Sequence, residues 1–86
     1  MDPQNLRDQL SKLHEELHSA RPGDPNTDRL RGEVLEDVKR ALAAPSEVDE
    51  SFVDRLERAA VQFEANHPTL AASSRRLIDL LGKAGI

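Results

Sequence analysis

The stretch HEELH at residues 14–18 carries the residue types with the clearest chemical potential. On a helix, the pattern H-E-x-x-H can place two imidazoles on one zinc ion, with a glutamate beside them as general base. A catalytic zinc needs three protein ligands and an open position, and no third ligand follows His18 at a recognisable spacing. We therefore interpret His14 and His18 as surface residues of an ordinary helix. A divalent metal ion bound by this pair is the alternative.

The other polar clusters do not predict a catalytic site. Three acidic pairs have no aromatic pocket around them and are typical of solvated faces or helix caps: Glu15-Glu16, Glu36-Asp37 and Asp49-Glu50. Ser73 and Ser74 are expected as small residues at a packing contact, and no glycine-rich loop is present that could cradle a phosphate. We predict that the chain is not an enzyme, needs no cofactor and has no small-molecule substrate.

Proline and glycine divide the sequence into four helical segments that would position these residues. Asp24-Pro25 is a typical opening, with an acidic N-cap followed by proline at the first helical position. Ala44-Pro45 is a stop signal, because the residue before proline resists the helical conformation. The predicted helices span residues 3–20, 25–43, 47–66 and 68–83. Together they predict a single all-α domain in which four short helices form two hairpins.

The first predicted helix has a leucine seam, which we define as Leu6, Leu10, Leu13 and Leu17. The spacings of 4, 3 and 4 residues are those of a coiled coil. A single helix of this length is marginal in water, and a chain of 86 residues buries only roughly 60–65% of its unfolded surface. We therefore expect the leucine seam to be an interface between copies, most simply in a symmetric dimer.

Composition and charge exclude several classes of protein. The sequence has twelve leucines but only two phenylalanines, with no tyrosine, tryptophan or cysteine. Base stacking, disulfide frameworks and thiolate metal sites are therefore not expected. A net charge of −4 without a basic stripe makes nucleic acid an unexpected partner. Neither a signal peptide nor a membrane-spanning run of apolar residues is recognisable, so we expect a cytoplasmic protein that does not use a membrane.

Two stretches carry a resemblance to a known family. They are Leu13-His14 with Glu16-Leu17, and Phe-Glu-x-x-His-Pro-x-Leu at residues 63–70; Asp79 and the terminal Gly85-Ile86 add to them. With these features the chain resembles a family of short bacterial proteins, about 90 residues long, classed as a domain of unknown function. The resemblance implies a bacterial, cytosolic and helical protein. It implies no activity and no catalytic residue.

The sequence thus predicts a non-enzymatic helical protein that acts in protein–protein interaction or as an adaptor, in a pathway that the residues do not reveal. Its expected partners are a second copy, bound through the leucine seam, and an unidentified protein. A small metal-responsive protein using His14 and His18 is the alternative. A weaker third option is a regulator that contacts nucleic acid through Arg75, Arg76 and Lys83.

Overall fold

The computed structural model describes residues 3–44, 46 and 48–83, without the side chains of residues 3 and 83. These residues form four α-helices and no strand, which confirms the all-α class. The terminal Gly85-Ile86 lies outside the described residues. No described helix is both long and apolar enough to cross a membrane. The helices are α1 (Pro3–Ser19), α2 (Pro25–Ala43), α3 (Glu50–Asn66) and α4 (Pro68–Lys83).

The start of α2 is held by reciprocal side-chain bonds. The Asp24 carboxylate accepts hydrogen bonds from the backbone N–H of Thr27 at 3.2 Å and from its hydroxyl at 3.4 Å. In the opposite direction, the Asp28 carboxylate accepts the N–H of Gly23 at 3.0 Å. Pro25 occupies the first turn, where its missing donor costs nothing. Backbone N–H groups at the start of a helix have no acceptor within the helix, and here these carboxylates of the same chain accept hydrogen bonds from them.

The third helix begins three residues later than predicted. Its N-cap is Asp49, whose Oδ1 accepts the backbone N–H of Phe52 at 3.1 Å, so the first helical residue is Glu50. We had expected the helix to begin at residue 47, which lies outside the described residues. The acid nearest the helix serves as the cap because its carboxylate reaches the free N–H groups of the first turn.

Each helix packs antiparallel against two others. α1 and α3 both contact α2 and α4, so α1 lies diagonally across from α3 and α2 from α4. The turn after α1 and the corner between α3 and α4 lie at one end of the bundle, which we call the turn end. There a Cβ built on Gly23 would lie 4.0 Å from Nε2 of His67. The whole bundle measures 34 × 20 × 19 Å.

The leucine seam lies inside this bundle, which corrects the predicted interface. Leu13 and Leu17 have no exposed surface and Leu10 has 1%, while Leu6 is partly buried at the edge of the core. The cover comes from α2 and α4 of the same chain. The heptad spacing correctly marked a buried face, but the partner helices are intramolecular. These leucines are thus not an open surface for a second copy. The rest of the core comprises Val34, Val38, Ala41, Phe52, Leu56, Ala59, Phe63, Leu70, Ala71, Leu77 and Leu81.

One acidic residue joins the contact between α2 and α3. Asp37 was expected on a solvated face, yet its side chain is only 7% exposed and its Oδ2 accepts a 2.5 Å hydrogen bond from Nη1 of Arg55. Arg40 lies 3.6 Å from the other carboxylate oxygen. The hydrogen bond and the charge of Asp37 raise the pKa of the Arg55 guanidinium. This ion pair links the two helices on either side of the turn between α2 and α3.

Candidate functional site

The two histidines of HEELH lie side by side on the outer part of α1. Their rings stack in parallel, with centroids 6.3 Å apart and 2° between the planes. His14 is partly buried and His18 is exposed. Among the residues that the structure describes, no group of three or more histidine, cysteine, aspartate or glutamate side chains is placed to hold a metal ion. The helix therefore brings the predicted pair together without a third ligand.

A different site lies at the turn end of the bundle. A cleft of about 300 Å³ opens there between the last turn of α1 and the first turn of α4. α1 contributes Glu16, the residue just after it contributes Ala20, and the corner between α3 and α4 contributes residues 66–70. We call this the turn-end cleft. Its walls combine apolar surface from Ala20, Pro68 and Leu70 with polar groups, a mixture typical of binding sites.

Glu16 is the charged residue of the turn-end cleft. It is partly buried, and its Oε1 accepts a hydrogen bond of 2.5 Å from the hydroxyl of Ser73 on α4. Within the described part of the chain, the Glu16 carboxylate forms no ion pair. Burial of a carboxylate without a cation is costly unless hydrogen bonds compensate it. The single hydrogen bond from the Ser73 hydroxyl leaves most of the acceptor capacity of the Glu16 carboxylate unused.

His67 forms the corner between α3 and α4. Its N–H donates to the carbonyl of Phe63 at 2.6 Å, and its own carbonyl accepts the N–H of Ala71 at 3.0 Å. A single residue thus ends one helix and starts the next. The imidazole stands edge-on to the Phe63 ring, with centroids 6.1 Å apart. Its Nε2 is buried near Gly23 and has no hydrogen-bond partner among the described residues. The ring therefore fixes the corner by packing.

The net charge of the turn-end cleft comes from Glu16. The end of α1 and the start of α4 carry dipole charges of about −0.5 and +0.5, which cancel because the two helices are antiparallel. Arg31 donates to the carbonyls of Leu17 and Ala20 at 3.3 and 2.9 Å, but it also pairs with Asp28 at 3.7 Å. Those two charges cancel as well. One uncompensated negative charge remains beside apolar walls.

A second cleft, between α2 and α3, is a weaker candidate. It measures about 130 Å³ and is lined in part by Asp37, Asp49 and Arg55. Asp37 and Arg55 pair with each other, and Asp49 caps α3. Its principal polar groups are thus engaged in holding the fold, whereas the Glu16 carboxylate of the turn-end cleft has no cation.

Reasoning from patterns did not single out Glu16 and His67 as a joint site. The residue pattern places Glu16 in an acidic pair typical of solvated faces or helix caps, and marks His67 only as part of the stretch at residues 63–70 that carries the resemblance. The available clue was the resemblance, because both stretches that carry it contribute to the turn-end cleft. Glu16 comes from the first stretch, and residues 67–70 come from the second.

Comparison with known proteins gives one match. A family model described as "Domain of unknown function (DUF4404)" matches residues 6–86. No curated protein and no solved structure matches the chain.

Proposed function

The chain belongs to the DUF4404 family of domains of unknown function, and we propose that it is a non-enzymatic protein–protein interaction module that binds its partner at the turn-end cleft. The observation that carries the proposal is the partly buried carboxylate of Glu16 in that cleft, which forms no ion pair with any residue that the structure describes. Adaptor proteins use such sites to hold another protein without changing it chemically. A cytoplasmic location is part of the proposal and rests on the sequence expectation alone.

The size of the cleft supports a protein partner. At about 300 Å³ it lies at the lower limit of small-ligand pockets, which run from about 300 to 1,000 Å³. That volume is enough for one inserted side chain of a partner. The remaining contact area would come from the exposed helix surfaces around the cleft. Since the leucine seam is covered, a second copy acting as the partner would also have to use a surface other than the seam.

The fixed geometry of the turn end also supports this proposal. Two helices are joined there by one residue, and the reciprocal bonds of Asp24 and Asp28 hold the neighbouring turn. A preformed site loses little conformational freedom when a partner binds. Binding at the turn-end cleft therefore does not require the bundle to open.

Site-specific photo-crosslinking in the native host tests the proposal. A benzophenone amino acid would replace Thr69, which is exposed and lines the cleft, or the exposed Glu36 on α2, diagonally across the bundle. We expect one protein to crosslink from position 69 and not from position 36. The purified partner should then bind the native chain and the Glu36→Trp variant, and lose binding to Thr69→Trp. A product from position 36 alone, no product at all, or unchanged binding by Thr69→Trp would contradict the proposal.

The stacked imidazoles on α1 support a second, less complete proposal, a metal-responsive protein using His14 and His18. Two histidines one helical turn apart can share one Zn²⁺ or Cu²⁺ ion after a change of side-chain rotamer. Added zinc should then raise the melting temperature of the native chain, and His18→Ala should remove that rise. An unchanged melting temperature in the native chain rejects this second proposal.

A further inference from the structure

We infer that the turn-end cleft receives a lysine or arginine side chain of the partner protein, with its cationic group against Glu16. This inference rests on the proposed function, since it names the chemistry of the group that enters the same cleft.

The charge of the cleft favours a cation. The dipoles of α1 and α4 cancel there, and Arg31 is balanced by Asp28, so the carboxylate of Glu16 sets the sign. Its only hydrogen-bond donor among the described residues is the neutral hydroxyl of Ser73. An entering ammonium or guanidinium group would supply both the missing charge and further donors.

The walls of the cleft fit the rest of such a side chain. Lysine and arginine carry an aliphatic stem that packs on apolar surface while the charged group reaches a polar partner. Here Ala20, Pro68 and Leu70 provide apolar surface beside the carboxylate. The side chains of Asn66 and Thr69, both exposed at the rim, offer further hydrogen-bonding groups. A cleft of about 300 Å³ accommodates one such residue.

The location of the cleft favours a side chain over a free amine. It is an open cleft at the end of a narrow bundle, and a short amine would leave much of its surface in water. A protein partner can add contacts with the surrounding helix ends, which a free polyamine cannot. We therefore assign the cation to a protein.

Peptide titration followed by NMR tests the inference. The probes are two blocked tripeptides, one with a central lysine and one with the uncharged analogue norleucine, added to the ¹⁵N-labelled native chain. We expect the lysine peptide to shift amide signals of Glu16, Ala20, Asn66 and Thr69, and the norleucine peptide to leave them unchanged. Equal shifts with both peptides would overturn the inference.

Two glutamine substitutions provide the matched controls. Glu16→Gln keeps an acceptor for Ser73 and removes the charge, so we expect the Kd of the lysine peptide to rise at least fivefold. Glu15→Gln makes the same change of charge at the neighbouring, exposed position and should leave the Kd within a factor of two. An unchanged Kd for Glu16→Gln, in a variant whose spectrum shows the native fold, would overturn the inference. Spermidine binding the native chain tighter than the lysine peptide would overturn its assignment to a protein.

The results also separate this inference from the proposed function. If Thr69→Trp abolishes binding of the crosslinked partner while Glu16→Gln does not weaken it, the cleft is a partner site of another chemistry, and only the inference fails. If neither substitution weakens binding, both fail.

Discussion

The hydroxyl of Ser73 on α4 donates a hydrogen bond of 2.5 Å to Glu16 on α1, and the two residues are 57 positions apart in the chain. This bond joins the last helix to the first and closes the ring of four. The next residue, Ser74, is fully buried, and its hydroxyl has no hydrogen-bond partner in the part of the chain that the structure describes. The two adjacent serines thus differ in whether the hydroxyl forms a hydrogen bond.

Alanine substitutions at the two serines should have opposite effects on stability. Ser73→Ala removes the donor from a partly buried carboxylate, so we expect the free energy of unfolding to fall by about 1–2 kcal/mol. Ser74→Ala removes an unsatisfied hydroxyl and improves helix propensity, which should raise it by up to about 1 kcal/mol. Urea denaturation followed by circular dichroism measures both. Equal losses from the two substitutions would contradict the assignment of the bond.

The ion pair between α2 and α3 predicts a different pattern for acidic residues. Asp37→Asn should lower the free energy of unfolding by about 1–2 kcal/mol, because the amide oxygen can still accept from Arg55 but lacks the charge that strengthens the bond. Glu36→Gln, at the neighbouring position where the side chain is 67% exposed, should change it by less than about 0.5 kcal/mol. A double-mutant cycle with Arg55→Gln should return a coupling of about 1–2 kcal/mol. Zero coupling would show that the pair does not contribute.

Substitutions in the leucine seam should lower the free energy of unfolding as much as substitutions in a hydrophobic core do. Leu13 has no exposed surface, so Leu13→Ala should cost about 2–5 kcal/mol in the free energy of unfolding. Val61 on α3 is 64% exposed, and Val61→Ala should change the same quantity by no more than about 0.5 kcal/mol. Thermal or urea unfolding of both variants provides the comparison. A small loss for Leu13→Ala would mean that the leucine is not packed within the chain.

A glycine in the middle of α2 offers a stabilising substitution. Gly32 is exposed, and a Cβ added to it would meet no atom within 4 Å. Gly32→Ala should therefore raise the free energy of unfolding by about 1 kcal/mol, since alanine favours the helix and restricts the unfolded chain. An increase in melting temperature without a change in the circular dichroism spectrum is the expected result. A decrease would contradict the open space that the structure shows around Gly32.

Local signals in the sequence predicted the helices well where those signals stand next to the helix. Asp24-Pro25 opens α2, and the hydrophobic spacing in each segment matches the buried face. The start of α3 was predicted too early because the sequence Ser46-Glu47-Val48-Asp49 resembles a capping box, and only the geometry selects Asp49 as the cap. Competing caps within a few residues cannot be ranked by residue type alone.

The sequence did not predict which element covers the apolar face of each helix. A 4-3-4 spacing of leucines indicates a covered helix face, whether the cover comes from the same chain or from a copy. Asp37 and Glu36 look alike in a string of letters, yet only Asp37 meets an arginine, 18 positions away. The turn-end cleft likewise forms from residues separated by about fifty positions. These pairings depend on the packing of whole helices, which periodicity does not encode.

The most direct measurement is the urea unfolding midpoint of the native chain over a hundredfold range of protein concentration. Because Leu10, Leu13 and Leu17 are covered by α2 and α4 of their own chain, unfolding involves one molecule, and the midpoint should not depend on concentration. A midpoint that falls steadily as the protein is diluted would show that association with a second copy stabilises the fold, and would contradict a core covered only by helices of its own chain.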